Sequence, residues 1–254
     1  MKLIITDLDG TLLRSDNTIS EYTVRVLEKV KAKGHMIGFA SARGFSMTRY
    51  VDLIKPHITI KNGGAKISFN GDIIYRNMLS ENDVSKIIRM CREFSNAKAL
   101  ICVENDEGYF CNYVPDDIDG RAVYTYSDLS NFEGLAYDIS SELVKDEWVT
   151  EIQKSCANCN VQSFTGMSWR QFSANNTSKE SALIKLITHI GIKLDDVIAF
   201  GDDINDLGML KIAGKAVAVS NAIDEVKAVA DHITESNDQD GVAIYLEKTI
   251  LRNE

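Results

Sequence analysis

The chain has 254 residues, of which 44% are hydrophobic and 26% are charged, and its formal net charge is −9. This composition is typical of a globular protein with one large domain or two modest ones. The acidic balance argues against binding to a nucleic-acid backbone. No apolar run is long enough to cross a bilayer, and the chain starts on a predicted strand with no secretory signal. With an odd number of cysteines, five, these features predict a cytoplasmic protein.

The first predicted strand, 2–6, ends on two carboxylates. Asp7 and Asp9 follow it in the sequence DLDGT. Two neighbouring carboxylates raise each other's pKa, so the pair is unfavourable unless a cation binds there. Gly10 lets the turn bring backbone N–H groups close to an anion. We interpret this segment as the nucleophile loop of a phosphoryl-transfer enzyme, with an ordinary polar turn as the alternative.

A strand–helix alternation follows, which predicts a parallel sheet with helices on both faces. Helices are predicted at 20–33 and 45–54, and strands at 36–41 and 57–60. Ser41, Ala42 and Arg43 come at the end of the second strand, and Asn62 follows the third. A hydroxyl at Ser41 can donate to a phosphoryl oxygen, and Arg43 can reach a phosphate or a sugar. A serine at such a junction is also a common helix N-cap.

The middle of the chain has a different pattern. Helices are predicted at 83–94 and 142–156, and strands at 99–104, 109–114, 134–139, 161–164 and 169–173. This αββ pattern, stated twice, indicates an antiparallel sheet with helices on one face. We therefore predict an inserted α+β domain at 81–175 and an α/β core built from 1–80 and 176–254.

The strand–helix alternation returns after residue 177. Helices are predicted at 178–190, 207–213, 223–230 and 242–250, and strands at 196–200, 216–219 and 232–234. Thr177 and Glu180 form a predicted capping box, which puts Lys179 in the first turn of the helix. The helix macrodipole opposes a cation there, so Lys179 is a candidate for binding an anion. A solvated lysine is the alternative.

A second acidic segment, GDDIND, follows the strand at 196–200. In a doubly wound sheet, ligands bind at the carboxyl ends of the strands, so Asp202 is expected beside Asp7. Hard divalent cations take oxygen ligands, and Mg²⁺ is commonly bound by one or two carboxylates. A helix N-cap explains one aspartate here but not three with Asn205, so we predict a metal site. An EF-hand loop is disfavoured because its glycine and its final glutamate are missing.

With these sites in order, the chain resembles the haloacid dehalogenase (HAD) superfamily, and within it the Cof-like sugar-phosphatase branch with an α/β cap. The resemblance covers essentially the whole chain, including NGG at 62–64, AVSNA at 218–222 and DGVA at 240–243. It implies a Rossmann-like doubly wound core with an inserted cap that sets specificity. It also implies Mg²⁺ as cofactor and a small phosphorylated substrate such as a sugar phosphate.

The resemblance implies the chemical roles as well. Asp7 would be the nucleophile that forms an aspartyl-phosphate, and Asp9 the acid that protonates the leaving oxygen and then the base that activates water. Ser41 and Lys179 would hold and neutralise the transferring phosphoryl group. Replacement of the family's usual threonine by Ser41 keeps the hydroxyl.

The implied metal ligands are Asp7, Asp202 and the backbone carbonyl of Asp9, with Asp206 and Asn205 supporting the metal shell and Lys179. Gly10, Ala42, Arg43, Asn62 and Asn205 are the expected phosphate- or substrate-binding positions.

Two alternatives remain open at this point. A phosphosugar mutase would share Asp7 and Asp9 but pass the phosphoryl group to a sugar hydroxyl, which requires exclusion of water. A non-enzymatic protein that binds Mg²⁺ or a phosphometabolite would have lost turnover, against which the intact acidic residues argue. The sequence carries no signal for an oligomeric state.

Overall fold

The structure is a computed structural model that describes residues 1–113, 124–142, 145–166 and 168–252. The chain forms two compact units. The first comprises Met1–Ala42, Tyr50–Ile74 and Ser178–Glu254, and the second comprises Arg43–Arg49 and Tyr75–Thr177. The α/β class with an inserted α+β unit is confirmed. The domains predicted at 1–80 with 176–254 and at 81–175 stay a prediction, and Val114, the predicted end of a strand, lies outside the described residues.

Fourteen strands and eight α-helices lie in the described residues. The strands are β1 (Leu3–Thr6), β2 (Met36–Ala40), β3 (Ile58–Lys61), β4 (Lys66–Phe69), β5 (Asp72–Arg76), β6 (Ile101–Glu104), β7 (Tyr109–Cys111), β8 (Tyr124–Tyr126), β9 (Asp138–Glu142), β10 (Cys159–Ser163), β11 (Trp169–Ala174), β12 (Val197–Gly201), β13 (Lys215–Val219) and β14 (His232–Thr234). The helices are α1 (Glu21–Ala32), α2 (Thr48–Ile54), α3 (Glu81–Phe94), α4 (Asp146–Ser155), α5 (Lys179–Ile190), α6 (Leu207–Ile212), α7 (Asp224–Val229) and α8 (Gly241–Leu246). No helix among them is both long and apolar enough to span a bilayer.

An eight-stranded sheet, in the order β14-β13-β12-β1-β2-β3-β4-β5, organises the first unit. Strand β1 lies inside it and pairs in parallel with β12 on one side and β2 on the other. All four residues of β1 are buried, as expected for a strand of a parallel sheet that is covered on both faces. The carboxyl ends of β1, β2, β3 and β12 therefore meet at one edge, where the predicted site residues follow.

The sheet is not entirely parallel, which the sequence prediction missed. Strand β4 runs antiparallel to β3, and β5 follows β4 as the edge strand. The turn between β4 and β5 consists of Asn70 and Gly71, both with positive φ. An Asn-Gly pair between two apolar runs is a strong hairpin signal, and it would have predicted this turn.

The second unit has a six-stranded sheet in the order β10-β11-β9-β6-β7-β8. Its core is built from α3, α4 and this sheet, with Ile87, Ile152 and Phe172 fully buried. The prediction of a purely antiparallel sheet is wrong in one respect, because β7 and β8 pair in parallel. Residues 112–123 separate these strands, and a connection of about a dozen residues is long enough for a parallel return.

Gly64 provides a test of packing next to the predicted site. It has φ +117, and a Cβ atom there would overlap the carbonyl oxygen of Ser178, the residue that precedes α5. Gly71 has φ +92 and open space around its Cβ position. Each alanine substitution should lose about 1–2 kcal/mol through backbone strain, and Gly64→Ala should lose clearly more because a backbone atom must also move.

Urea denaturation of Gly64→Ala and Gly71→Ala measures this difference. Equal losses of unfolding free energy in the two variants would contradict the packing argument.

Candidate active site

The loop that begins at Asp7, the predicted nucleophile loop, is fixed directly to the sheet. Asp7 donates its backbone N–H to the carbonyl of Phe200 at 3.1 Å, which extends the parallel ladder one residue beyond β1. The following residues, Leu8–Leu12, form a turn that is closed by the N–H of Leu13 bonded to the carbonyl of Leu8 at 2.8 Å, and Asp9 and Gly10 within it have non-helical backbone angles. The side chain of Asp7 is thereby buried at the carboxyl edge of the sheet, whereas Asp9 is exposed.

Lys179 is buried between two carboxylates. Its Nζ lies 2.5 Å from Oδ1 of Asp7 and 2.6 Å from Oδ1 of Asp206, and the residue is 1% exposed. The alternative of a solvated lysine is therefore excluded. The structure brings together Asp7 and Lys179, which are 172 residues apart in sequence, as an ion pair at the carboxyl edge of the sheet.

The predicted capping box at Thr177 and Glu180 is wrong by one residue. The N-cap is Ser178, whose hydroxyl accepts the N–H of Ser181, while the hydroxyl of Ser181 accepts the N–H of Ser178. Thr177 is used differently, because its Oγ1 accepts a hydrogen bond from Asn77 at 2.9 Å. Thr177 and Ser178 both carry a hydroxyl that could cap the helix, so the sequence allowed two N-cap positions. Lys179 lies in the first turn of α5 in both cases.

Asp206 holds both Lys179 and the second acidic loop. While its Oδ1 accepts from Lys179, its Oδ2 accepts the N–H groups of Asp202 at 3.0 Å and Asp203 at 3.2 Å. Asp202 in turn accepts at Oδ1 from the hydroxyl of Thr11 at 2.6 Å. A Cβ on Gly10 would overlap the carboxylate of Asp202. The glycine is thus required by the close approach of the two loops as well as by its positive φ.

Burial dominates the electrostatics of these groups. It raises the pKa of Asp7 well above the usual range, and the neighbouring carboxylates add to this while Lys179 opposes it. Burial raises the pKa of Asp202 to about 7, against the hydrogen bond from Thr11. Burial by itself would lower the pKa of Lys179, but its ion pairs with Asp206 and Asp7 outweigh burial and raise that pKa.

These residues fit a hard divalent cation. Each of Asp7, Asp202 and Asp206 offers an oxygen, and the three oxygens lie within 4.8 Å of one another. When ionised they carry three negative charges against the one positive charge of Lys179, so a divalent cation balances the cluster. In the described part of the chain, Oδ1 of Asn205 is buried and has no hydrogen-bond partner. An all-oxygen donor set of this kind suits Mg²⁺ better than a softer metal.

The ends of β2 and β3 bring two further predicted residues to this edge. Ser41 donates its N–H to the carbonyl of Ile60 at 2.9 Å, and its own carbonyl accepts the N–H of Gly63 at 3.0 Å. Ser41 and Asn62 are both buried. Ala42 is the last residue of the Met1–Ala42 segment of the first unit, and Arg43 belongs to the second unit. The predicted contact of Arg43 with substrate stays a prediction.

Sequence reasoning gave no role to three residues that support the nucleophile loop. Thr11 bonds Asp202, as described, and Asn221 donates to the carbonyl of Gly10 at 2.8 Å. Asn237, which is buried, donates to the carbonyl of Leu13 at 2.9 Å. Thr11 was visible in DLDGT and Asn221 in AVSNA, but the contacts between these distant segments were not.

Comparison with known proteins identifies the family. A model of the haloacid dehalogenase-like hydrolases matches residues 4–246. The chain belongs to this family. It is 29% identical to the 5-amino-6-(5-phospho-D-ribitylamino)uracil phosphatase YitU of Bacillus subtilis, over 97% of this chain and 96% of the relative. It is 26% identical to YcsE of the same organism, which has the same activity name, over 99% and 96% of the two chains.

Among solved structures, the hydrolase is similar to a phosphatase of the HAD superfamily from Bacteroides thetaiotaomicron. The TM-score is 0.80 at 25% identity, over 98% of this chain and 94% of that chain. The predicted membership of the HAD superfamily is thereby confirmed, and the match to the family model extends across both units.

Replacement of Lys179 tests the buried charge cluster. Lys179→Met leaves Asp7 and Asp206 buried without their counter-charge, so we expect a loss of about 3–5 kcal/mol in unfolding free energy. The exposed Lys211 on α6 provides the control, and Lys211→Met should change stability by less than about 0.5 kcal/mol. Urea denaturation of both variants in metal-free buffer gives the values. Similar small losses in the two variants would be inconsistent with a buried ion pair.

Proposed function

We propose that this hydrolase is a Mg²⁺-dependent phosphatase that acts on small phosphorylated metabolites through an aspartyl-phosphate. The observation that carries the proposal is the buried arrangement of Asp7, Lys179 and Asp206 beside Asp202. A carboxylate nucleophile, a neighbouring ammonium and a set of oxygen ligands are what phosphoryl transfer requires, because its catalysis is largely positioning and charge neutralisation.

In the proposed reaction, a carboxylate oxygen of Asp7 attacks phosphorus as the bond from phosphorus to the leaving oxygen breaks. Asp9 gives its proton to that leaving oxygen. Asp9 then takes a proton from water as the water attacks the aspartyl-phosphate, which releases phosphate and restores Asp7. The covalent intermediate divides hydrolysis into two easier steps.

Mg²⁺, when bound, would neutralise charge on the transferring phosphoryl group. Asp7, Asp202 and the backbone carbonyl of Asp9 are the proposed ligands. Asp206 is fully buried and already accepts hydrogen bonds at both oxygens, so it is better suited to holding Lys179 and the loop at Asp202. The orphan amide oxygen of Asn205 is a further group that supports a bound ligand here.

The remaining proposed contacts are made to the phosphate. Lys179 supplies positive charge next to Asp7, and the hydroxyl of Ser41 donates to a phosphoryl oxygen. The loop N–H groups around Gly10 and Ala42 add further donors. Asn62, Asn205 and Arg43 complete the proposed substrate-binding residues.

The relatives suggest the substrate class. YitU and YcsE carry names for an activity on a 5-phosphate of a ribityl chain. We therefore propose a phosphate ester of a sugar or sugar alcohol as the substrate of this enzyme. We also propose that the second unit acts as the cap that selects the leaving group.

Hydrolysis of a panel of phosphate esters tests the proposed function. We expect Mg²⁺-dependent release of phosphate from p-nitrophenyl phosphate and from sugar and sugar-alcohol phosphates, and none in EDTA. Asp7→Asn should abolish release because an amide is a poor nucleophile, while Asp195→Asn, at an exposed position, should retain it. Near-full activity of Asp7→Asn would reject the assignment of Asp7 as the nucleophile. Transfer to a sugar hydroxyl without release would favour a mutase.

The metal site has its own test. Mg²⁺ should raise the melting temperature of the wild-type protein, because a ligand that binds the folded state stabilises it by mass action. Asp202→Ala should shift the half-maximal Mg²⁺ concentration, in both melting and activity assays, upward by about tenfold or more. Asp195→Asn again provides the control. An unchanged Mg²⁺ dependence of Asp202→Ala would remove that residue from the metal site.

A further inference from the structure

Two asparagines connect the nucleophile loop to the far end of the chain. The amide nitrogen of Asn221 donates to the carbonyl of Gly10 at 2.8 Å, and its amide oxygen accepts the backbone N–H of Asn237 at 3.0 Å. Asn237 then donates its own amide nitrogen to the carbonyl of Leu13 at 2.9 Å. The two side chains therefore link two carbonyls of the loop through one continuous chain of hydrogen bonds.

The orientation of the Asn221 amide is determined by its partners. The carbonyl of Gly10 can only accept, and the N–H of Asn237 can only donate. A single placement of nitrogen and oxygen satisfies both, so an isosteric aspartate would place an oxygen against the Gly10 carbonyl. The two hydrogen bonds therefore require an amide side chain at position 221, although Asn221 is exposed.

The segment that carries Asn237 is itself firmly attached to the chain after the loop. Asp238 accepts from the N–H and the hydroxyl of Ser15, both at 2.8 Å. Asp240 forms an ion pair with Arg14 at 2.7 Å. Asn237 is 6% exposed, so its bonds lie in the interior. Asn221 thus connects the loop to a segment that is itself held by the contacts of Asp238 and Asp240.

We propose that Asn221 is a positioning residue that fixes the Gly10–Thr11 peptide, with Asn237 as its support. A peptide unit is planar, so a bound carbonyl at Gly10 fixes the whole unit and the direction of the following Thr11. The hydroxyl of Thr11 bonds Asp202 at 2.6 Å. Asn221 therefore acts through Gly10 and Thr11 on the geometry of the acidic cluster. This inference rests on the proposed phosphatase function.

Kinetics of Asn221→Ala and Asn221→Asp test the proposal, with Ser220→Ala as the adjacent control. A small displacement of reacting groups lowers the rate more than it lowers binding, so kcat on p-nitrophenyl phosphate should fall about tenfold or more. KM should change by less than about threefold, and Ser220→Ala should keep the wild-type kcat. Urea denaturation gives the folded fraction, for which kcat is corrected. A corrected kcat equal to that of wild type in both Asn221 variants would overturn the proposal.

Amide hydrogen exchange measured by mass spectrometry gives a readout that needs no turnover. In Asn221→Ala, exchange in a peptide covering residues 7–13 should be faster by about fivefold, the effect of one lost hydrogen bond. A peptide covering β2 should be unchanged. If the wild-type protein hydrolyses no ester, the proposed function fails, and this exchange still decides the positioning role. Unaltered exchange at 7–13 would overturn it.

Discussion

The active site depends on the burial of one ammonium group among carboxylates. Lys179 is 1% exposed and contacts Asp7 and Asp206 at hydrogen-bond distance. Desolvation of such charges is strongly unfavourable unless the geometry is good and the remaining polar atoms are bonded. The structure meets this condition at Asp206, which also accepts two backbone N–H groups. The ion pairs therefore fix the position of the Asp7 carboxylate.

The parallel sheet makes this concentration of charge possible. Strand β1 has β2 on one side and β12 on the other, so three strand ends meet at one edge. Each strand contributes a polar group there without interrupting its buried ladder: Asp7, Ser41 and Asp202. Gly10 allows the first and last of these loops to approach more closely than a Cβ atom would permit. The acidic cluster is thus a direct product of the strand order.

Much of the fold and of the candidate site could be predicted from the sequence because it depends on local sequence patterns. Buried apolar runs that end on aspartates predicted both β1 and β12, and the rule on strand ends placed Asp7 and Asp202 at one edge. The hairpin of β4 and β5 was missed although Asn70-Gly71 signalled it. The predicted capping box was one residue too early because Thr177 and Ser178 offer equivalent hydroxyls.

Other contacts leave no local signal. Asn237 and Leu13 are 224 residues apart, and each lies in a loop whose composition fits many turns. A side-chain amide can bond any nearby carbonyl, so only the folded chain determines which one it finds. Strand β8 was not predicted from the sequence at all, so its parallel pairing with β7 could not be predicted either.

The distances in sequence between these partners also bear on how the enzyme is made. Lys179 leaves the ribosome 172 residues after Asp7, and Asn237 leaves it 224 residues after Leu13. Domains generally fold as units during synthesis, and residues 75–177 of the second unit are complete before Lys179 is added. The nascent chain therefore carries Asp7 without Lys179 while the 172 residues that separate them are made. The buried ion pair of Asp7 and Lys179 can form only after Lys179 has been added and has packed against the end of β1.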